Sequence, residues 1–467
     1  MSAPSGQDAL VTPDSLGNNR LQQWRRILET RAFLLLCVVA MRWALEAAYV
    51  LLVNPYFEYA GFTLNLSVTK YIEAWIILVV LTVIAPSRVE RTSDYLVVYL
   101  LVAVILPLLS FFALSDQPRG PVYSVLLGYL LILWVRRGPG IAVPRIAGGF
   151  RLALILAGLG AATVSAWMVG SGGLRYLNFD FGSVYDFRRA SGEVTGRFGF
   201  QYLNVWATKV FGPFLLAVSL WRRWWPLAAA VLFLHLLWFG ISAHKSVVFY
   251  PLLVGAVWFW VRRVPATGLI PLSLAVAVVA AVIVSKVSGD IMTGSLAVRR
   301  AFFVISNNTF AYFEFFSYNQ NVWWSNSVLS WLSEYPYDLG PARLIGAWRG
   351  TDSWVNNTFL STGYMHAGHL GVAIYGVLVG FLFRLIDSLS TKGPPVWVCI
   401  AVVIVPMHSL LTSADLFTAL LTHGVGLSII LLFLARDRHD VGVSAGMTWK
   451  DESGVAAFPP SPASSRS

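Results

Sequence analysis

Apolar runs close to the length of a bilayer crossing recur along this 467-residue chain, and each leaves its backbone few options. In hydrocarbon every peptide N–H and C=O must be answered within the segment, so such a run folds as a helix of roughly 20 residues. Runs of this kind fall at about 32–54, 68–86, 94–114, 121–135, 151–170, 202–221, 226–243, 246–261, 267–285, 368–386, 395–413 and 416–435. They predict about twelve transmembrane helices, the fourth and eighth short. Hydrophobic residues make up 57% of the chain and charged residues 12%, against a charged share of about 25% in soluble proteins. The expected class is all-α: a polytopic integral membrane protein with a single transmembrane domain over 25–436. The polar tails at 1–24 and 437–467 read as disordered and cytoplasmic, and the N-terminal stretch lacks the apolar core of a secretory signal peptide.

A net charge of +11 would suit nucleic acid in a soluble protein, but its distribution gives a simpler origin. Arg25, Arg26 and Arg31 precede the first span. Arg88 with Arg91, Arg136 and Arg137 with Arg145, Arg222 with Arg223, Arg262 with Arg263, Arg384 with Lys392, and Arg436 with Arg438 mark alternate connections. That pattern matches the positive-inside rule with both termini in the cytoplasm, and no nucleic-acid partner is expected. Cys37 and Cys399 both lie inside spans, so no disulfide framework is implied. Arg42 and Glu46, four apart, read as a pair that neutralises itself in the hydrocarbon; Lys70 and Glu73, three apart, read as a second such pair.

Two long external loops are expected, 171–201 and 287–367. They and the short outer turns carry Arg175, Arg188, Arg189, Arg197, Lys245, Lys286, Arg299, Arg300, Arg343 and Arg349. Long loops escape the charge rule, so a solvated surface is one reading. The other is an anion at the outer leaflet, because a guanidinium offers phosphate oxygens a planar, two-pronged donor set. Residues 295–316 read as a helix in which Arg300, Asn307 and Glu314 recur at sevens on one face, with phenylalanines on the others. That stripe either lines a polar groove for a sugar or forms the wet side of an interfacial helix. The histidines are scattered without metal-ligand spacing, and no P-loop or Rossmann glycine pattern occurs, which disfavours a nucleotide-using cytoplasmic enzyme. No internal repeat of the transporter kind is visible.

Four places give the chain a family look. They are the outer loop with Arg188 and Arg189, the pair Lys245-Ser246 between two helices, the segment Tyr335-Pro336-Tyr337-Asp338, and Asn357-Thr358 followed by Tyr364, Gly368 and Gly371. Over roughly 30–435 the layout resembles the oligosaccharide repeat unit polymerases, the O-antigen or Wzy-type polymerases, including a glycine eleven positions after Arg188. His366 stands where an acidic residue is typical, and the His-Asn pair of the related O-antigen ligases is absent.

The resemblance implies a lipid-donor (GT-C-like) glycosyltransferase. It would move a growing glycan from polyprenyl (undecaprenyl) pyrophosphate to a new lipid-linked repeat unit at the external face of the bacterial inner membrane, without nucleotide sugar, cofactor or obligatory metal. A flippase and a chain-length regulator would be its partners. On this reading Arg188, Arg189, Arg197, Lys245, Arg299 and Arg300 bind pyrophosphate. Asn357 and Tyr364 contact the sugar path with Trp323, Trp324, Trp331, Trp348 and Trp354, and His366 or Glu314 serves as the general base. A ligase of the same superfamily and a transporter are the alternatives.

Overall fold

The structure is a computed structural model and describes residues 23–179, 200–242, 244–391 and 393–436. Arg188, Arg189 and Arg197, and the tails 1–22 and 437–467, lie outside the described residues. What is described is helical throughout, without strands. In chain order the helices are α1 (Arg31–Ala60), α2 (Val68–Ile84), α3 (Thr92–Leu114), α4 (Arg119–Val135), α5 (Gly149–Gly170), α6 (Phe200–Arg222), α7 (Trp225–Ser242), α8 (Ser246–Trp260) and α9 (Leu269–Ser288). Then come α10 (291–318), α11 (Pro341–Trp348), α12 (Phe359–Ser390), α13 (Val396–Ser413), α14 (Leu416–Leu421) and α15 (Val425–Leu434). Eight of these, α1, α3, α5, α6, α7, α9, α12 and α13, are long and apolar enough to cross a membrane, while α4, α8 and α15 are shorter apolar helices. The expected span at 416–435 is broken: the Asp415 carboxylate caps the start of α14, and Gly424, at φ +83°, turns the chain before α15.

Burial sorts the spans. The hydrophobic windows of α3 and α13 are 94% and 78% covered by protein, against 28% for α5 and 33% for α9, so α3 and α13 form the centre and α5 and α9 the rim. Small residues set the closest approach. A Cβ at Gly376 of α12 would stand 2.8 Å from the Gly128 carbonyl of α4, and one at Gly380 would stand 2.7 Å from Val135 Cβ. This is how membrane helices pack where lipid gives no hydrophobic push.

Four helices contain a π-turn, at Tyr49–Val53, Leu101–Ile105, Ala207–Phe211 and Ser295–Phe303. The first three run into Pro55, Pro107 and Pro213. Proline has no N–H and its ring presses on the carbonyl four residues back, and a widened turn relieves both. The fourth has no proline and carries Arg299 and Arg300. It packs against the first through Tyr49 and Phe303, whose ring centroids are 4.9 Å apart.

Two expectations change here. Lys70 and Glu73 do not pair: Lys70 binds Asp116 at 2.6 Å and Glu73 binds Arg119 at 2.9 Å, so both tie α2 to the α3–α4 turn. The stretch 287–367 holds the helix expected over 295–316, as part of α10, and is also less of a loop than expected elsewhere, with α11 and the start of α12 inside it. Its helix α10 buries Phe302, Phe303, Phe310, Tyr312, Phe313, Phe315 and Phe316 and turns Arg300 and Glu314 outward. Arg42 and Glu46 do meet, at 2.6 Å, with the Arg42 guanidinium 4.1 Å from the Trp75 ring centre.

The span α12 departs most from its sequence. Inside α12 the helix breaks at Ala367 and Gly368, the latter at φ 57° and ψ −143°, a conformation open essentially to glycine alone. A Cβ on Gly371 would lie 2.0 Å from the Gly363 carbonyl oxygen. In a straight helix those residues are separated by about 12 Å along the axis. The segment 359–366 is therefore folded back against the span that begins at about 369, with His366 at the tip of the hairpin.

Candidate functional site

A half-helix ending inside a protein leaves carbonyls that something must satisfy. Residues 321–324 supply the donors. The N–H groups of Val322 and Trp323 donate to the Met365 and His366 carbonyls, each at 3.0 Å, and Asn321 Nδ2 donates to Tyr364 O and Met365 O. Trp323 and Trp324 take left-handed φ values of 50° and 57° to make this cap. Trp324 N–H reaches His366 Nδ1 at 3.1 Å. Nδ1 is thus an acceptor, so the neutral ring carries its proton on Nε2, which donates to Asp415 Oδ2 at 3.0 Å. Tyr375 Oη donates to the same oxygen at 2.8 Å and accepts from Trp324 Nε1. The Trp324 indole stacks on the imidazole at 5.0 Å between centroids. Burial opposes ionisation of Asp415, yet the bonds from His366, Tyr375 and the Phe417 N–H together hold its carboxyl below the ordinary value. His366 is fully buried and occupied at both nitrogens.

Beside this knot lies a cavity of about 1100 Å³, slightly larger than the roughly 300–1,000 Å³ of small-molecule sites. Arg299 and Arg300 of α10, Arg349 after α11, Trp354, and His408, Thr412 and Ser413 of α13 line it. Arg349 is fixed: Nη2 donates to Asn307 O and Oδ1 at 3.0 and 2.9 Å, and Nη1 reaches Asn308 Oδ1 at 3.4 Å. Asn308 in turn donates to Asn356 O, and Asn307 to Ala60 O. The π-turn sets Arg299 over the Phe57 ring at 4.1 Å. Burial and the neighbouring Arg300 charge press the Arg299 guanidinium below its usual range, and burial does the same to Arg349, against the opposing charge of Glu314. Against these three cations the wall offers one carboxylate, that of Asp352.

His408 lies about one and a half turns inside the end of α13 and is only partly covered. Its Nδ1 is 2.7 Å from Tyr99 Oη, and among the described residues its Nε2 has no hydrogen-bond partner. One residue along, Ser409 accepts from Lys209 Nζ at 2.8 Å, and Lys209 also donates to His423 Nδ1 at 3.1 Å.

Of the residues singled out in the sequence, Arg299 and Arg300 line the cavity, and Glu314 is exposed on α10. Asn357 and Tyr364 sit in the hairpin instead. Asn357 is buried, with Nδ2 3.4 Å from Thr309 Oγ1, while Tyr364 stacks on Phe313 at 4.0 Å and hydrogen-bonds Ser317. Lys245 precedes α8 and is not among the cavity's residues. Trp354 lines the cavity, whereas Trp323, Trp331 and Trp348 are exposed but are not among its lining residues. Sequence reasoning had no role for His408, a lone imidazole in an apolar run, and gave Arg349 no rank among the outer arginines. A dense patch of amides at 307, 308, 356 and 357 was the available signal for the latter. Comparison of the chain with protein-family models, with curated proteins and with solved structures finds no match.

Proposed function

We propose that this protein is a bacterial polysaccharide polymerase of the plasma (inner) membrane, with about twelve crossings, both termini cytoplasmic and a lipid-donor architecture. It transfers a growing glycan from undecaprenyl pyrophosphate to the terminal sugar of a new lipid-linked repeat unit at the external face. The observation that carries this reading is the meeting of Arg299, Arg300 and Arg349 with a largely buried imidazole, His408, in the wall of one cavity at the end of α13. Such a wall suits an anion on a lipid and a hydroxyl to be deprotonated.

In the reaction the bond between the donor's anomeric carbon and a pyrophosphate oxygen breaks. The acceptor hydroxyl oxygen bonds to that carbon, and its proton passes to a base. Charge gathers on the leaving pyrophosphate, where preplaced guanidinium donors act most strongly in the transition state. With His366 bound at both nitrogens and Glu314 on the outer stripe, His408 takes the base role. When Nδ1–H donates to Tyr99 Oη, the Nε2 lone pair is available for the proton. The exposed tryptophans give the glycan apolar faces to stack on. Repeat units delivered by a flippase, and a chain-length regulator, complete the expected setting.

Purified protein given lipid-linked repeat units and no nucleotide sugar should extend them, and Arg349→Ala should slow extension about a hundredfold or more. No extension under these conditions would overturn the reading. Transfer of finished glycan to a non-repeat acceptor, without extension, would assign a ligase.

A further inference from the structure

A second cavity, of about 1160 Å³, lies at the far end of the bundle. Val396, the first residue of α13, lines this one, while Thr412 and Ser413 at the other end line the first. An 18-residue helix separates them by about 27 Å. The second cavity is walled by six arginines, Arg91, Arg136, Arg137, Arg145, Arg384 and Arg436, and by two carboxylates, Glu90 and Asp387.

Exposed arginines at a membrane surface need no ligand, but this wall is built. Arg436 is 6% exposed and its guanidinium donates only to backbone carbonyls, Val143 O and Thr391 O, each at 3.1 Å. No carboxylate pairs with it among the described residues, and its Nε has no partner. Arg136, also 6% exposed, spends one nitrogen on Asp94 at 2.7 Å and on Ser93, and its Nε too is unanswered. Asp387 is itself taken by the Ser93 N–H and hydroxyl. The strap 138–145 closes one side, held by Arg384 Nε on Pro139 O and by Ile141 N–H on Ser388 Oγ at 2.9 Å. A buried cation without countercharge is costly, and a bound oxyanion relieves it.

We propose that this cavity binds a phosphate-bearing anion, either the headgroup of an acidic phospholipid or a soluble phosphate compound. The inference holds whatever reaction occurs at the opposite end. Arg137, exposed, and Arg384, whose Nε holds the strap, supply further donors, and Arg136 and Arg436 supply the buried charge behind them.

The test uses the full chain in detergent. Native mass spectrometry reads retention of phosphatidylglycerol against phosphatidylcholine, and calorimetry reads inorganic pyrophosphate. A preference for phosphatidylglycerol of tenfold or more, lost in Arg137→Gln/Arg384→Gln and kept in Arg299→Gln, assigns a lipid headgroup. Saturable pyrophosphate binding with the same dependence, and no lipid preference, assigns a soluble anion. Should the double variant fail to fold by circular dichroism, Arg137→Glu alone carries the same readout. The proposal is overturned if neither probe binds preferentially, or if, in folded protein, the lipid preference survives these substitutions or pyrophosphate binding survives them when Arg299→Gln is also present.

Discussion

At the scale of single residues, two histidines divide the labour that the sequence could not apportion. His366 drew attention because it stands among polar residues just before a span. Its two nitrogens are consumed by Trp324 and Asp415. His366→Phe keeps the stack on Trp324 but strands a backbone N–H and removes a donor from a buried carboxylate, at an expected cost of about 3 kcal/mol in thermal or denaturant unfolding. The pH dependence follows from Asp415. Its folded-state carboxyl lies below the ordinary value of about 3.9, so the stability it contributes is complete above that value and is lost as pH falls through the folded pKa. Melting temperature should therefore fall in acid below about pH 4, and fall less steeply in Asp415→Asn. His408→Gln is expected to behave in the opposite manner, leaving the melt nearly unchanged while slowing chain extension about 10²- to 10⁴-fold. Equal losses of rate in both histidine variants, each at full stability, would contradict this division. His408 was illegible because an imidazole inside an apolar run is indistinguishable from a packed one until its partner is known, and Tyr99 lies 309 positions away.

At the scale of elements, eight of the expected hydrophobic runs are helices long and apolar enough to cross a membrane, because length and apolarity are what a bilayer selects. They failed where a helix is short, polar and held by protein. Residues 359–366 read as loop, since Ser361, Thr362 and Gly363 break the apolar run, yet they form a half-helix whose N–H groups are capped by Thr358 and whose carbonyls are capped by 321–324. The two glycines noted in the sequence, Gly368 and Gly371, are the physical cause of the hairpin: one turns the chain and the other lets the arms touch. Gly371→Ala places a methyl against the Gly363 backbone and should destabilise by about 1–3 kcal/mol. Gly368→Ala should cost a similar amount through its backbone conformation. Gly255→Ala on α8 meets nothing within 4 Å and should be neutral or stabilising by up to about 1 kcal/mol. Melting curves of the three variants in one detergent test the series. A Gly371→Ala protein as stable as Gly255→Ala would mean that the arms do not touch.

At the scale of the whole molecule, the two arginine-lined cavities occupy opposite ends of α13, and the proposed topology would put them in opposite compartments. The arginines around Arg137 belong to the set that positive-inside places in the cytoplasm, whereas Arg299, Arg300 and Arg349 lie on long segments exempt from that rule. Sequence alone left these outer cations ambiguous between a solvated surface and a site. Arg349 joins Arg300 in the cavity wall because its guanidinium is bound to Asn307 and Asn308 of the same helix as Arg300, α10. Sidedness is testable directly, because Cys37 and Cys399 are buried and should stay silent to a thiol reagent. Asp352→Cys at the first cavity and Gly140→Cys at the second both place a thiol at an exposed position. In intact spheroplasts a membrane-impermeant maleimide should label Asp352→Cys, and should label Gly140→Cys only after the membrane is opened. The reverse order would invert the topology and put the lipid-pyrophosphate reaction on the wrong face. Labelling of both from one side would mean that α13 does not run between compartments, and the separation of the two cavities would lose its meaning.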